Sequence, residues 1–197
     1  MGLKILAFTD FHGNQDAYRR ATERIGNEQP DFVIVAGDII NHDANRAKQL
    51  LSGLANAGRP VCFVPGNMDG EELGKWTGGA NILALHARGE NLKGCFIMGL
   101  GGSPHGPFRT VFEYSEEEAA VLLETAARDF QRGQLILVSH CPPKDTDIDK
   151  VTLAQQSLDH GEAERAGAAG HHDVTFQEIH GLAAWERGSR GIIPSFR

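Results

Sequence analysis

Cysteine, basic charge and long apolar runs are all in short supply. Only three cysteines occur, Cys62, Cys95 and Cys141, and they are widely spaced. No CxxC pair is present, so neither a disulfide framework nor a thiolate metal knuckle is encoded. That usage suits a reducing cytoplasm. Lys and Arg number 19 against 26 Asp and Glu, giving a net charge of -7. This argues against a broad basic surface for nucleic acid or an anionic membrane. A small phosphorylated substrate stays open, because bound metal ions supply positive charge that the residue count misses. The apolar opening MGLKILAFTD breaks at Asp10. It is too short for a signal peptide or a membrane span and reads as a first strand. No repeat, low-complexity tail or linker is visible, so residues 1–197 are read as one domain.

What the chain does contain is alternation. The runs KILAFT, DFVIVA, PVCFV, GCFIMGL and QLILVS are short, apolar and bounded by turn residues. Each reads as a buried strand. Between the first three, Ala17, Ala21 and Ile25 recur at helical spacing, as do Ala47, Leu50, Leu51 and Leu54. Strand–helix–strand order implies right-handed crossovers and a largely parallel sheet. The middle section, NILALHARGENLKGCFIMGLGGS, places two strands too close for an intervening helix, which predicts hairpin pairing and a mixed sheet. YSEEEAAVLLETAARDF reads as a helix capped by Ser115, with Glu116 to Glu118 in its first turn and Arg128 in its last. Residues 101–113 form a long Gly/Pro-rich loop, a kind that is often functional. DVTF, LAAWE and GIIPS near the end read as short closing strands.

Chemistry-bearing residues follow the strands. TDFHGN carries Asp10, His12 and Asn14 after the first. GDIINHD carries Asp38 after the second, and PGNMD carries Asn67 after the third. SHCPP brings His140 after QLILVS, and QEIH brings Glu178 and His180 after DVTF. The carboxyl ends of parallel strands share one rim, where ligands bind in open α/β sheets. Imidazole, carboxylate and carboxamide without thiolate suit two hard or borderline divalent ions, Mn first, with Fe, Zn or Ni as alternatives. Asp38 is the central candidate, because its strand lies between those of Asp10/His12 and Asn67.

These motifs resemble the calcineurin-like metallophosphoesterases, in their compact prokaryotic branch. The shared pattern is DFH at 10–12, GD at 37–38, GNMD at 66–69, SH at 139–140 and QEIH at 177–180. The resemblance implies a four-layer αββα sandwich of two mixed β-sheets flanked by helices. It also implies hydrolysis of a phosphodiester or phosphomonoester by a hydroxide bridging two divalent ions. By the same likeness, Asp10, His12 and His180 hold one ion, Asp38 bridges, and Asn67 and His140 hold the second. Asn67 also touches the substrate phosphate.

Two positions depart from the pattern. Met68 stands where many members carry a His that protonates the leaving group, and a thioether has no proton to give. Loss of a general acid costs about 10²–10⁴-fold in rate. His105 and His42 are the candidate replacements, with His105 taken into the catalytic set beside Asp38 and Asn67. Glu178 stands where a His belongs, and as a carboxylate it is a competent ligand for Mn or Fe. GHHD at 170–173 is a rival for the last motif, but it precedes a strand, whereas the ligands should follow one. Met68 and Glu178 also support a different class of function, a catalytically weak or inactive protein of this fold acting as a protein-binding scaffold.

Overall fold

The structure is a computed structural model that describes residues 2–142 and 184–185. The first strands are β1 (Ile5–Phe8), β2 (Phe32–Ala36) and β3 (Val61–Val64), joined through helices α1 (Gln15–Glu28) and α2 (Ala44–Ala55). After β3 come the short helix α3 (Glu71–Lys75) and strands β4 (Gly78–Gly79) and β5 (Ile82–Ala84). The first sheet runs β1-β2-β3-β5-β4, parallel throughout except where β4 pairs antiparallel with β5. The second sheet is built from β6 (Arg88–Leu92), β7 (Cys95–Leu100), β10 (Leu135–Ser139) and β11 (Ala184–Trp185). In it β6 and β7 form a hairpin, β10 runs parallel to β7, and β11 pairs antiparallel with β10; the middle section read as two strands thus holds three, with β5 joining the first sheet. Between them lie β8 (Ser103–Pro104), β9 (Glu113–Tyr114) and helix α4 (Glu116–Ala127).

Period-2 alternation sorts each strand's side chains into layers. Phe32, Ile34, Cys62, Val64, Ile97 and Val138 meet in one buried cluster between the sheets. Val33, Val35, Val61 and Phe63 face the opposite way, toward Ala21, Ile25, Leu51 and Leu54 of α1 and α2. Phe96, Met98 and Leu100 face Ala119, Leu123 and Ala126 of α4. Helix, sheet, sheet and helix therefore stack as the four expected layers, with two mixed sheets in the middle. Burial makes Cys62 and Cys95 inert core thiols, and it pushes the Cys62 thiol up to about 12.

Helix starts follow local chemistry. The side chains of Asn14 and Asp43 accept from Ala17 N and Arg46 N and so cap α1 and α2. Ser115 and Glu118 form a reciprocal capping box at α4. Arg128, expected in the last turn of α4, is its C-cap instead. Helix α3 is an element the apolar spacing does not reveal, because five residues are too few to show a period. Trp76 lies against Phe63 with ring centroids 5.4 Å apart. LAAWE contributes β11, whereas DVTF, GIIPS, Glu178, His180 and GHHD lie outside the described residues.

Candidate metal centre

The site begins where β1 and β2 end. Their pairing continues past the strands: Asp10 N donates to the Gly37 carbonyl at 3.1 Å, His12 N to Asp38 at 2.8 Å, and Gly13 N to Ile39 at 2.9 Å. This irregular ladder sets Asp10 and His12 beside Asp38. Its residues adopt left-handed backbone, with φ of 55° at Asp10, 46° at His12 and 49° at Asp38. Such conformations are costly for most L-residues and collect at functional sites. The ligand atoms of Asp10, His12 and Asp38 all lie within 4.8 Å of one another. Asp10 and His12 are exposed, while Asp38 is buried.

From the second sheet, β10 delivers His140 to the same place. His140 N donates to the Leu100 carbonyl at 3.2 Å. Its ring Nδ1 lies 2.9 Å from the Ala36 carbonyl oxygen. A carbonyl only accepts, so Nδ1 carries a proton, and in the neutral imidazole Nε2 presents a lone pair. That lone pair faces Asn67 Oδ1 at 2.9 Å and Asp38 Oδ1 at 3.6 Å. His12 mirrors the arrangement. Its Nδ1 donates to Asn41 Oδ1 at 3.0 Å, leaving Nε2 toward Asp38 Oδ2 at 3.6 Å and Asp10 Oδ1 at 3.8 Å. Asp38 therefore turns one carboxylate oxygen to each histidine. Thr9 Oγ1 donates to Asp10 Oδ2 at 2.7 Å and orients the remaining carboxylate.

Two glycines allow this convergence. A Cβ on Gly66 would overlap the Asp38 carboxylate and main chain, and one on Gly37 would run into the His140 ring. The Gly-Asp and Gly-Asn dipeptides thus bring backbones close enough for the side chains to meet.

Asp69 is the residue that sequence reasoning left without a role. It is 2% exposed, and its carboxylate accepts from Gly66 N at 2.7 Å, Ile40 N at 2.7 Å and Ile39 N at 3.0 Å. It clamps the loop of Asp38 to the loop of Asn67. Burial raises its pKa, and the three backbone donors oppose that shift. Its signal in the chain was its place in GNMD, where an Asp reads as an ordinary turn residue. Asn41, which fixes the His12 ring, was also missed. Asn14 serves as the α1 cap.

Met68 is half-buried and contributes through its backbone. Its N–H donates to Asp38 Oδ1 at 3.1 Å, and its carbonyl accepts from His42 N at 3.0 Å. The thioether is thus not what secures Asp38. The His105 ring faces Glu113, with Nδ1 3.6 Å from Oε2, on the exposed part of the long loop. A concavity of about 470 Å³ lies elsewhere, between β5, β6 and the end of α4. Thr77, Arg88, Glu90 and Asp129 line it, and none of the clustered residues does.

Comparison with known proteins bears on the fold and the family. The uncharacterized protein MJ1162 of Methanocaldococcus jannaschii is 30% identical over 152 residues, covering 77% of this chain. The chain spans 66% of that relative's length. The crystal structure of TT1561 of Thermus thermophilus superposes with a TM-score of 0.61 at 16% identity, covering 81% of this chain and 79% of that one. A second solved structure gives 0.60 at 18% identity, covering 81% of each chain. These two likenesses establish the fold. A sequence profile described as calcineurin-like phosphoesterase matches residues 3–185, nearly the whole length, and the chain belongs to that family.

Proposed function

We propose that the protein hydrolyses a phosphodiester or phosphomonoester of a small molecule with two divalent cations held at the joint rim of its sheets. The observation that carries this is Asp38 between the Nε2 atoms of His12 and His140. Each ring is fixed through its other nitrogen, so both lone pairs point inward together with the oxygens of Asp10 and Asn67. With the His140 ring neutral, its Nε2 and Asn67 Oδ1 face each other as two acceptors. Acceptors so arranged repel one another, and a cation between them turns repulsion into ligation. Nitrogen and oxygen donors without thiolate fit Mn, Fe, Zn or Ni.

Asp10, His12 and one oxygen of Asp38 would hold the first cation, completed by His180. The other Asp38 oxygen, Asn67, His140 and Glu178 would hold the second. When bound, such cations supply Lewis-acid polarisation and charge neutralisation at the phosphoryl oxygens. The chain's own residues do the rest. Asn41 and the Ala36 carbonyl keep the two imidazoles in the ligating tautomer, as outer partners of metal-bound histidines do. The Asn67 amide NH₂ has no partner among the described residues and is placed to donate to a phosphate oxygen. Leaving-group protonation falls to His105 or His42, since Met68 has no proton to give.

Turnover of bis(p-nitrophenyl) phosphate with added Mn²⁺, abolished by a chelator and restored by Mn²⁺, tests the proposal. Met68 favours a second reading, a scaffold that binds protein. Bound metal without turnover of any aryl phosphate selects the scaffold instead. Among the described residues no helix is long and apolar enough to cross a membrane.

A further inference from the structure

Three consecutive residues at the end of β2 serve both halves of the site. The Ala36 carbonyl accepts from His140 Nδ1 at 2.9 Å, and the Gly37 carbonyl accepts from Asp10 N at 3.1 Å. Asp38 then lies between His12 and His140. Thr9, which follows β1 directly, reaches into the same group. Its Oγ1 is 2.7 Å from Asp10 Oδ2 and 3.1 Å from the Ala36 carbonyl oxygen. One hydroxyl thus touches a ligand of the first cation position and the carbonyl that orients a ligand of the second.

A hydroxyl has one proton to give, and both neighbours are acceptors. The carboxylate is nearer and charged, so it takes the proton while Asp10 is a free anion. Asp10 depends on that bond. Its side chain is 53% exposed, and no other hydrogen bond among the described residues holds its carboxylate. With Oδ2 held by Thr9, Oδ1 is the oxygen left facing His12 Nε2, at 3.8 Å. Thr9 therefore selects the oxygen that Asp10 offers inward.

The contact with Ala36 gives this choice a consequence at His140. When Asp10 is neutralised as a ligand, the two acceptors become comparable and the hydroxyl turns to Ala36. A carbonyl that receives a second donor is a weaker acceptor for the first. The bond from His140 Nδ1 loosens, and Nε2 becomes a poorer ligand, because the outer partner is what raises the basicity of a ligating imidazole. The rest of the second position is anchored elsewhere. Asn67 accepts through its carbonyl from Phe112 N, at the base of the long loop, and His140 N donates to the Leu100 carbonyl.

We infer that Thr9 is a positioning residue that couples the two cation positions. Its hydroxyl tightens the Asp10 position by fixing Oδ1 inward, and it penalises the His140 position once the Asp10 position is filled. This inference rests on the dinuclear reading of the site.

The test is Mn²⁺ calorimetry on chelator-treated protein. Asn67→Ala isolates the Asp10 position, and His12→Ala isolates the His140 position. Adding Thr9→Val should weaken Mn²⁺ binding about 10–100-fold in the first background and leave it within about twofold in the second. The coupling penalty is the product of the two isolated affinities divided by the product of the two affinities in the two-site protein. Thr9→Val should reduce this ratio about fivefold or more, and cation–cation repulsion, common to both proteins, cancels from the comparison. Thr9→Ser, which keeps the hydroxyl, should restore wild-type values throughout. Thr9→Ala is a second hydroxyl deletion, and urea unfolding of each variant confirms that the folded state is being read. Equal weakening in both backgrounds would make Thr9 a simple tie between β1 and β2 and overturn the inference. So would an unchanged penalty, or a failure of serine to rescue. Absence of Mn²⁺ binding in the wild type would instead overturn the metal centre itself.

Discussion

His140 Nε2 stands 2.9 Å from Asn67 Oδ1, across 73 positions of sequence and from the opposite sheet. Because the Ala36 carbonyl holds a proton on Nδ1, the contact joins two electron pairs whenever the imidazole is neutral. Such an approach is unfavourable in isolation and favourable around a cation. Asn67→Ala removes one of the two groups and leaves Asp10, His12 and Asp38 in place. The variant should bind one Mn²⁺ fewer per chain by calorimetry, and an unchanged stoichiometry would take Asn67 out of the ligand set.

Asp69 is predicted to matter as a positioning residue. Asp69→Asn keeps the shape but turns an NH₂ toward backbone donors, a mismatch that costs about 1–3 kcal/mol. The urea midpoint should fall accordingly. Mn²⁺ affinity should fall about 10–100-fold as well, the range seen when outer partners of metal ligands are changed. Lost stability with unchanged Mn²⁺ affinity would make Asp69 a purely structural clamp.

The strand ends were legible in the chain because each apolar run stopped abruptly at a polar cluster. Asp10, His12, Asp38, Asn67 and His140 were found that way, and the structure brings all five together. Asp69 and Asn41 were not, because their roles depend on a loop from elsewhere in the chain, and periodicity reports only local geometry. The same limit hid the base of the 105–112 loop, while α3 was hidden because five residues show no period. The continuous apolar runs of β2, β3 and β7 marked strands buried on both faces, whereas the four layers were implied by the family resemblance. Glu178 and His180 lie outside the described residues.

Met68 holds Asp38 through its main chain, so a side-chain change there should spare the metal centre. Met68→His is expected to raise turnover of esters with poor leaving groups by about tenfold or more, within the range of general-acid catalysis. Good leaving groups should gain little. His105→Ala in the wild-type background should steepen the dependence of rate on leaving-group pKa. An unchanged slope would move proton delivery to His42, whose N–H bonds the Met68 carbonyl.

His86 gives the fold a defined acid sensitivity. Burial first, then Arg88, pushes its pKa down to about 4, and its Nδ1 accepts from Gly101 N at 3.0 Å. The unfolded chain takes up this proton near pH 6.5 and the folded one does not. Stability is therefore full above about pH 6.5 and is lost as pH falls toward about 4, by on the order of 2–3 kcal/mol. His86→Gln keeps an acceptor for Gly101 and cannot titrate. Urea midpoints at about pH 7.5 and about pH 4.5, on either side of this window, should differ less in the variant than in wild type. Equal differences would contradict the assignment.

Metal stoichiometry tests the central claim most directly. Mn²⁺ titrated into chelator-treated protein should bind at two equivalents per chain. Asp38→Ala, which removes the carboxylate between His12 and His140, should weaken both sites together. Absence of Mn²⁺ binding in the wild type, or binding that ignores the loss of Asp38, would contradict the metal centre described above.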